Sequence, residues 1–130
     1  MPDLNLVAVF VASAAAFVLS GFYYAILGNQ LATVTESAYA DESARPWQLG
    51  AELARCLVLV TVVAGLASAI GTDGWVDGLL LGLVLWVGFP LVLWTGAIVH
   101  ERTPLKLAAI HGGDWLVKLP VIAVIVSAWR

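Results

Sequence analysis

Charge is what this chain has least of. Lysine and arginine together number 6 and aspartate and glutamate 9 among 130 residues, 12% of the whole, where a soluble domain carries about a quarter. So few cations leave no basic patch to neutralise phosphates, which excludes nucleic acid as a partner. Cysteine is almost absent too. The single Cys56 rules out an intramolecular disulfide and any zinc-type cysteine spacing, and reads as a small apolar residue within a helix. No cluster of metal-ligand side chains and no phosphate-cradling glycine loop occurs, so neither metal nor cofactor is expected. The start MPD lacks the positive charge of a signal peptide and the apolar run after it is too long for one, so the first hydrophobic segment reads as a retained helix.

What the chain does have is apolar sequence, 62% hydrophobic residues. Four runs hold nearly all of it: Leu4 to Leu27, Leu49 to Ile70, Trp75 to Val99 and Pro104 to Trp129. Each exceeds the roughly 20 residues that cross a hydrocarbon core of about 30 Å. Without water to satisfy backbone amides, such segments must be helices. The expectation is an all-α membrane protein, a single four-transmembrane-helix bundle with helices at about 4–27, 49–70, 75–99 and 104–129 and one long polar connection over 29–46.

The connections carry their own signals. Gly28 can close helix 1 in a left-handed cap, with Tyr23 and Tyr24 at the level of an interfacial aromatic belt. The long connection holds Glu36, Asp41, Glu42 and Arg45. GTDGWVDG is a tight turn that makes helices 2 and 3 antiparallel neighbours. HERTP gives helix 4 Thr103 as N-cap and Pro104 as first helical residue. Arg45, Arg102 and Lys106 flank one end of the bundle against Arg130 at the other, a bias that puts the first and third connections in the cytoplasm and both termini outside. Small residues recur every four positions, at Ala12, Ala16 and Ser20 and at Gly78 and Gly82, marking seams within the chain or between subunits. Pro90 and Pro120 each free a carbonyl and invite a bend. Trp47, Trp75, Trp94 and Trp129 read as belt anchors, while Trp86 and Trp115 lie deeper, where an indole N–H needs an acceptor.

The segment IHGGDWLVK breaks the apolar pattern. At 100° per residue, with His111 as zero, Asp114 lies at about −60°, Lys118 at about −20° and Trp115 at about +40°, one stripe on one face. The opposite face, with Ala109, Gly113, Leu116 and Ala123, is small or apolar. Asp114 falls roughly 15 Å into the membrane, where an unpaired charge costs at least about 2.5 to 3.5 kcal/mol. Lys118, four residues on, is one partner of favourable order. Arg55 of helix 2, at roughly 12 Å depth with Glu52 at roughly 7 Å on the same side, is another. Tyr24 approaches from the end of helix 1. Apart from Lys118, polar groups concentrate in the half nearer connections one and three, which predicts a crevice open to one side and sealed on the other.

His111, Asp114, Lys118, Arg55, Glu52, Trp115 and Tyr24 are therefore the candidate binding or proton-relay residues; no catalytic or metal residue is expected. Two uses fit. A small transporter or proton-linked permease would bind a proton or polar solute at Asp114, with His111 as relay; four helices are few for a carrier, so a homo-oligomer would follow. A structural or accessory subunit would instead pack the polar stripe against a membrane protein partner. An enzyme is disfavoured because no nucleophile stands beside His111, and a lipid or quinone ligand stacked on Trp115 is a further alternative.

The stretches GFYYAILGNQ, GLLLGLVLWVGF and ERTPLKLAAIHGGDWLVKLPVIAVI resemble the bacterial membrane proteins grouped as domain of unknown function 1761. The resemblance covers almost the whole chain and departs at Leu31, where that family usually has a tryptophan. It implies a four-helix integral membrane protein of the bacterial cytoplasmic membrane and no particular activity.

Overall fold

The computed structural model describes residues 4–32 and 46–129. Glu36, Asp41, Glu42, Arg45 and Arg130 lie outside the described residues. Four helices account for most of the rest: α1 (Leu6–Ala32), α2 (Pro46–Ile70), α3 (Gly74–Glu101) and α4 (Leu105–Ala128). All four are long and apolar enough to cross a membrane. Large side chains such as Phe10, Phe22, Val58, Val84, Phe89 and Leu93 point outward, as expected where the solvent is hydrocarbon.

Helix boundaries follow local chemistry. Asn5 caps α1, its Oδ1 accepting from the N–H groups of Val7 at 3.1 Å and Ala8 at 3.2 Å. The helix does not stop at Gly28 but runs on to Ala32, because nothing before the polar connection forces the backbone out of helical geometry. Gly71 and Gly74 adopt φ of +75° and +83° in the α2–α3 turn, a conformation glycine takes without penalty. At the α3–α4 connection Arg102 takes φ 55° and ψ 34°, and its N–H donates to the Ala97 carbonyl, so the left-handed closure falls on a residue with a Cβ. Thr103 is not the N-cap of α4. Pro104 holds that position at ψ 135°, outside helical geometry, and no side chain caps the helix.

Helix α4 is the hub. Half of its span is buried, against a third or less of each other span, and α1, α2 and α3 all pack on it. Despite their tight turn, α2 and α3 barely touch. In lipid, apolar attraction between helices largely cancels and close backbone approach decides which pair forms. That approach is available between α3 and α4. A Cβ added to Gly78 would lie 2.5 Å from the Ala123 carbonyl oxygen, and one added to Gly82 would collide with the Pro120 backbone. The α1 stripe is likewise internal, with Ala12 and Ala16 fully buried and Ser20 nearly so. Both small-residue seams therefore lie within one chain.

Pro90 sits inside a π-helical turn, Val87–Leu91. Its missing N–H cannot close an i→i−4 bond, and a π turn absorbs the irregularity. Before this turn α3 packs tightly on α4; beyond it the two make far fewer contacts. At the opposite end, Asn5 Nδ2 donates to the Trp129 carbonyl at 3.3 Å, and the hydroxyls of Thr72 and Ser127 share a hydrogen bond of 2.9 Å. The start of α1, the α2–α3 turn and the end of α4 thus meet at one end of the bundle.

Candidate functional site

At the other end the helices leave a cavity of about 570 Å³, within the range of small-molecule pockets. Helix α4 supplies His111, Asp114, Trp115 and Lys118 to its wall, α2 supplies Glu52 and Arg55, α1 supplies Ser20 and Tyr24, and α3 supplies Trp94. The seven residues singled out from the sequence all line this one space.

Its floor is an ion pair. Lys118 Nζ lies 3.2 Å from Asp114 Oδ2, and both residues are only 4% exposed. The pair forms within one helix because residues four apart stand one above the other. Ser20 Oγ donates to the other carboxylate oxygen at 2.9 Å, and Lys118 Nζ sits 4.6 Å from the centre of the Trp115 ring. Burying two charges is costly unless geometry and added hydrogen bonds compensate. Here a hydroxyl and an aromatic face supply those additions.

Arg55 does not reach Asp114. Its Nη1 pairs with Glu52 Oε2 at 2.7 Å, and its side chain is 68% exposed. A partner three residues away on the same helix requires no crossing between helices, so of the two candidate partners of Asp114 only Lys118 pairs with it. Arg55 and Glu52 instead form a second, internally neutral pair on the cavity wall, and Cys56 Sγ lies 3.9 Å from Glu52 Oε1.

The aromatic part of the wall centres on His111. The Tyr24 hydroxyl and His111 Nδ1 share a hydrogen bond of 2.7 Å. On His111 lies Trp94, the ring centroids 5.1 Å apart and the planes within 8° of parallel. His111 Nε2 has no hydrogen-bonding partner among the described residues. Trp94 is therefore not a belt anchor, unlike Trp47 and Trp75, which are 65% and 61% exposed. Eight residues of α-helix would turn it about 80° past Trp86. The extra residue absorbed by a π turn takes back about 100° and returns both indoles to the α4 side. Trp86 Nε1 accordingly donates to the Gly112 carbonyl at 2.8 Å.

Tyr23 and Tyr24 also turn inward. Tyr23 donates to the Ile110 carbonyl at 2.6 Å, and its hydroxyl occupies the space a Cβ at Gly113 would need. Gly113 thus permits close approach, whereas a Cβ at Gly112 would meet nothing within 4 Å. The face of Gly113 and Ala123, apolar by sequence, is where α1 and α3 dock. Ser20 and Trp94 were missed as site residues, Ser20 because it fitted a small-residue seam and Trp94 because its place near a helix end read as the interfacial belt. Pro90, four residues before Trp94, was the available signal.

The far half of the bundle is not free of polar groups, since Ser13, Thr72 and Ser127 are buried there. Each is satisfied locally: Ser13 Oγ donates to the Val9 carbonyl at 2.7 Å, and Thr72 bonds Ser127. Among the described residues no three of His, Cys, Asp and Glu gather as a metal ion would require.

Four apolar spanning helices and a polar cavity between them define a multi-pass membrane protein of four-helix-bundle architecture. Residues 7–127 match the family described as protein of unknown function (DUF1761), and the chain belongs to it. No curated protein and no solved structure matches the chain.

Proposed function

We propose that this protein is a proton-linked transporter of a small solute, with the cavity as its binding site. The observation that carries this reading is the convergence of all four helices on a space of about 570 Å³ with an ion pair only 4% exposed in its wall. Intramembrane ionisable groups are costly and typically mark ion or substrate paths. Asp114, bonded by Lys118 and Ser20, is the group that gains or releases the proton. His111, oriented through Nδ1 by Tyr24 and with no partner at Nε2 among the described residues, is the relay. Beyond Lys118, α4 is packed against Gly78, Gly82 and the α1 stripe, which suits access from one side at a time.

In this reading the membrane is a bacterial cytoplasmic membrane. Arg102 and Lys106 flank the cavity end, so the cavity opens to the cytoplasm and the termini lie outside. A homo-oligomer supplies the bulk that four helices lack. The test uses purified protein in liposomes with an internal pH-sensitive dye. Wild type should dissipate an imposed pH gradient, and Asp114→Asn should slow this at least tenfold while still reconstituting. A wild type that leaves the gradient intact overturns the proposal.

A second reading, an accessory subunit, draws on the completeness of the Asp114 pairing by Lys118 and Ser20. It requires that extraction from native membrane yield a larger complex with a different protein; recovery as this chain alone would end it.

A further inference from the structure

We infer that the ligand of this cavity is an uncharged, planar molecule bearing carbonyl acceptors. The inference rests on the reading of the cavity as a ligand site and adds the class of molecule that fits it.

Charge is the first constraint. The two carboxylates and two cations in the wall form two closed pairs, Asp114 with Lys118 at 3.2 Å and Glu52 with Arg55 at 2.7 Å. A charged ligand would have to compete with a partner already in place, at high cost for the buried Asp114–Lys118 pair and at lower cost for the largely exposed Arg55. A neutral ligand faces neither cost.

Hydrogen bonding is the second. Among the described residues, the one buried side-chain nitrogen or oxygen without a partner is Trp94 Nε1. Indole N–H only donates, and a buried donor left unpaired costs about 1 to 3 kcal/mol. Its complement is an acceptor, and Trp94 belongs to the cavity wall. The π turn at Pro90 is what brings the indole there, so this unsatisfied donor follows from a local irregularity in α3.

Shape is the third. Trp94 and His111 lie parallel within 8°, and Trp115 adds another ring to the wall. Flat aromatic walls favour a flat guest in offset stacking, and about 570 Å³ accommodates one or two fused rings with substituents.

The same chemistry is found in lipid-soluble quinones and in water-soluble cyclic carbonyl compounds, so the experiment includes both. Protein in lipid nanodiscs is titrated at equilibrium, with no pH gradient, with decylubiquinone and with uracil; benzoate and benzylamine serve as flat anionic and cationic comparators. One neutral probe should bind saturably at one per chain and at least tenfold more tightly than either charged one. Binding of decylubiquinone assigns entry from the bilayer, binding of uracil entry from water, and either supports the inference. Trp94→Phe should weaken that binding at least tenfold, and Trp75→Phe, at an exposed position, should leave it unchanged. Tighter binding of benzoate or benzylamine, no binding of either neutral probe, or unchanged affinity in a folded Trp94→Phe overturns the inference. The ranking of the four probes on wild type decides the matter even if that variant does not fold. Gradient dissipation without neutral-probe binding sinks this inference alone, whereas neutral-probe binding without dissipation sinks only the transport reading.

Discussion

The two halves of α4 are held by different physics. From Ala108 to Lys118 it is fastened by directional bonds: Ser20 and Lys118 on Asp114, Tyr23 on the Ile110 carbonyl, Trp86 on the Gly112 carbonyl and Tyr24 on His111. From Leu119 to Val126 it is fastened by fit, with Ile122 and Ala123 fully buried among Val60, Val63, Ala12 and Ala16, and with Gly78 and Gly82 letting the α3 backbone lie against Pro120 and Ala123. The lesson is that a lipid-embedded helix can be secured with or without polar contacts. The polar cavity lies along the half where bonds, which reach across gaps, replace close packing.

The strongest way to break this contrast is to remove one member of the buried ion pair. Lys118→Met leaves Asp114 without its cation and should lower stability by about 3 to 5 kcal/mol in detergent unfolding, while Lys118→Met combined with Asp114→Leu should recover most of the loss. A double variant as unstable as the single one would mean that polar bonding alone secures the cavity half. Next in size is a single methyl in each half. Gly82→Ala drives a carbon into the Pro120 backbone and should cost about 1 to 3 kcal/mol by the same assay. Gly112→Ala meets nothing within 4 Å and should be neutral or stabilising by up to about 1 kcal/mol. Equal effects at the two glycines would erase the distinction between bonding and fit. The smallest effect belongs to Arg55→Gln. Its pair with Glu52 is largely exposed, so the unfolding free energy should change by less than about 1 kcal/mol.

Much of this arrangement was legible in the sequence because it obeys helical periodicity. The four spans, the common face of His111, Asp114, Trp115 and Lys118, and the seams at Ala12, Ala16 and Gly78, Gly82 follow from counting residues at 100° and 1.5 Å each. What escaped that counting lies where regular geometry lapses or where partners compete. Trp94 reads as a belt anchor from its place near a helix end although a π turn rotates it inward, Arg55 as a second candidate for Asp114 although Glu52 on its own helix holds it, and Gly28 as a cap although the helix continues past it. The tight turn between α2 and α3 predicts that these consecutive helices are neighbours, yet they barely touch because α4 offers each a better surface.

The sequence by itself determined that this chain crosses the membrane four times and carries an acid and a base one turn apart inside it, since backbone hydrogen bonding in oil and the pitch of a helix leave no alternative. Only the tertiary structure decided that the last helix stands at the centre, that Ser20 joins the Asp114 pair, and that Trp94 closes the aromatic wall over His111. Those outcomes depend on which backbones approach most closely and on one irregular turn, and neither is encoded in the spacing of any single helix.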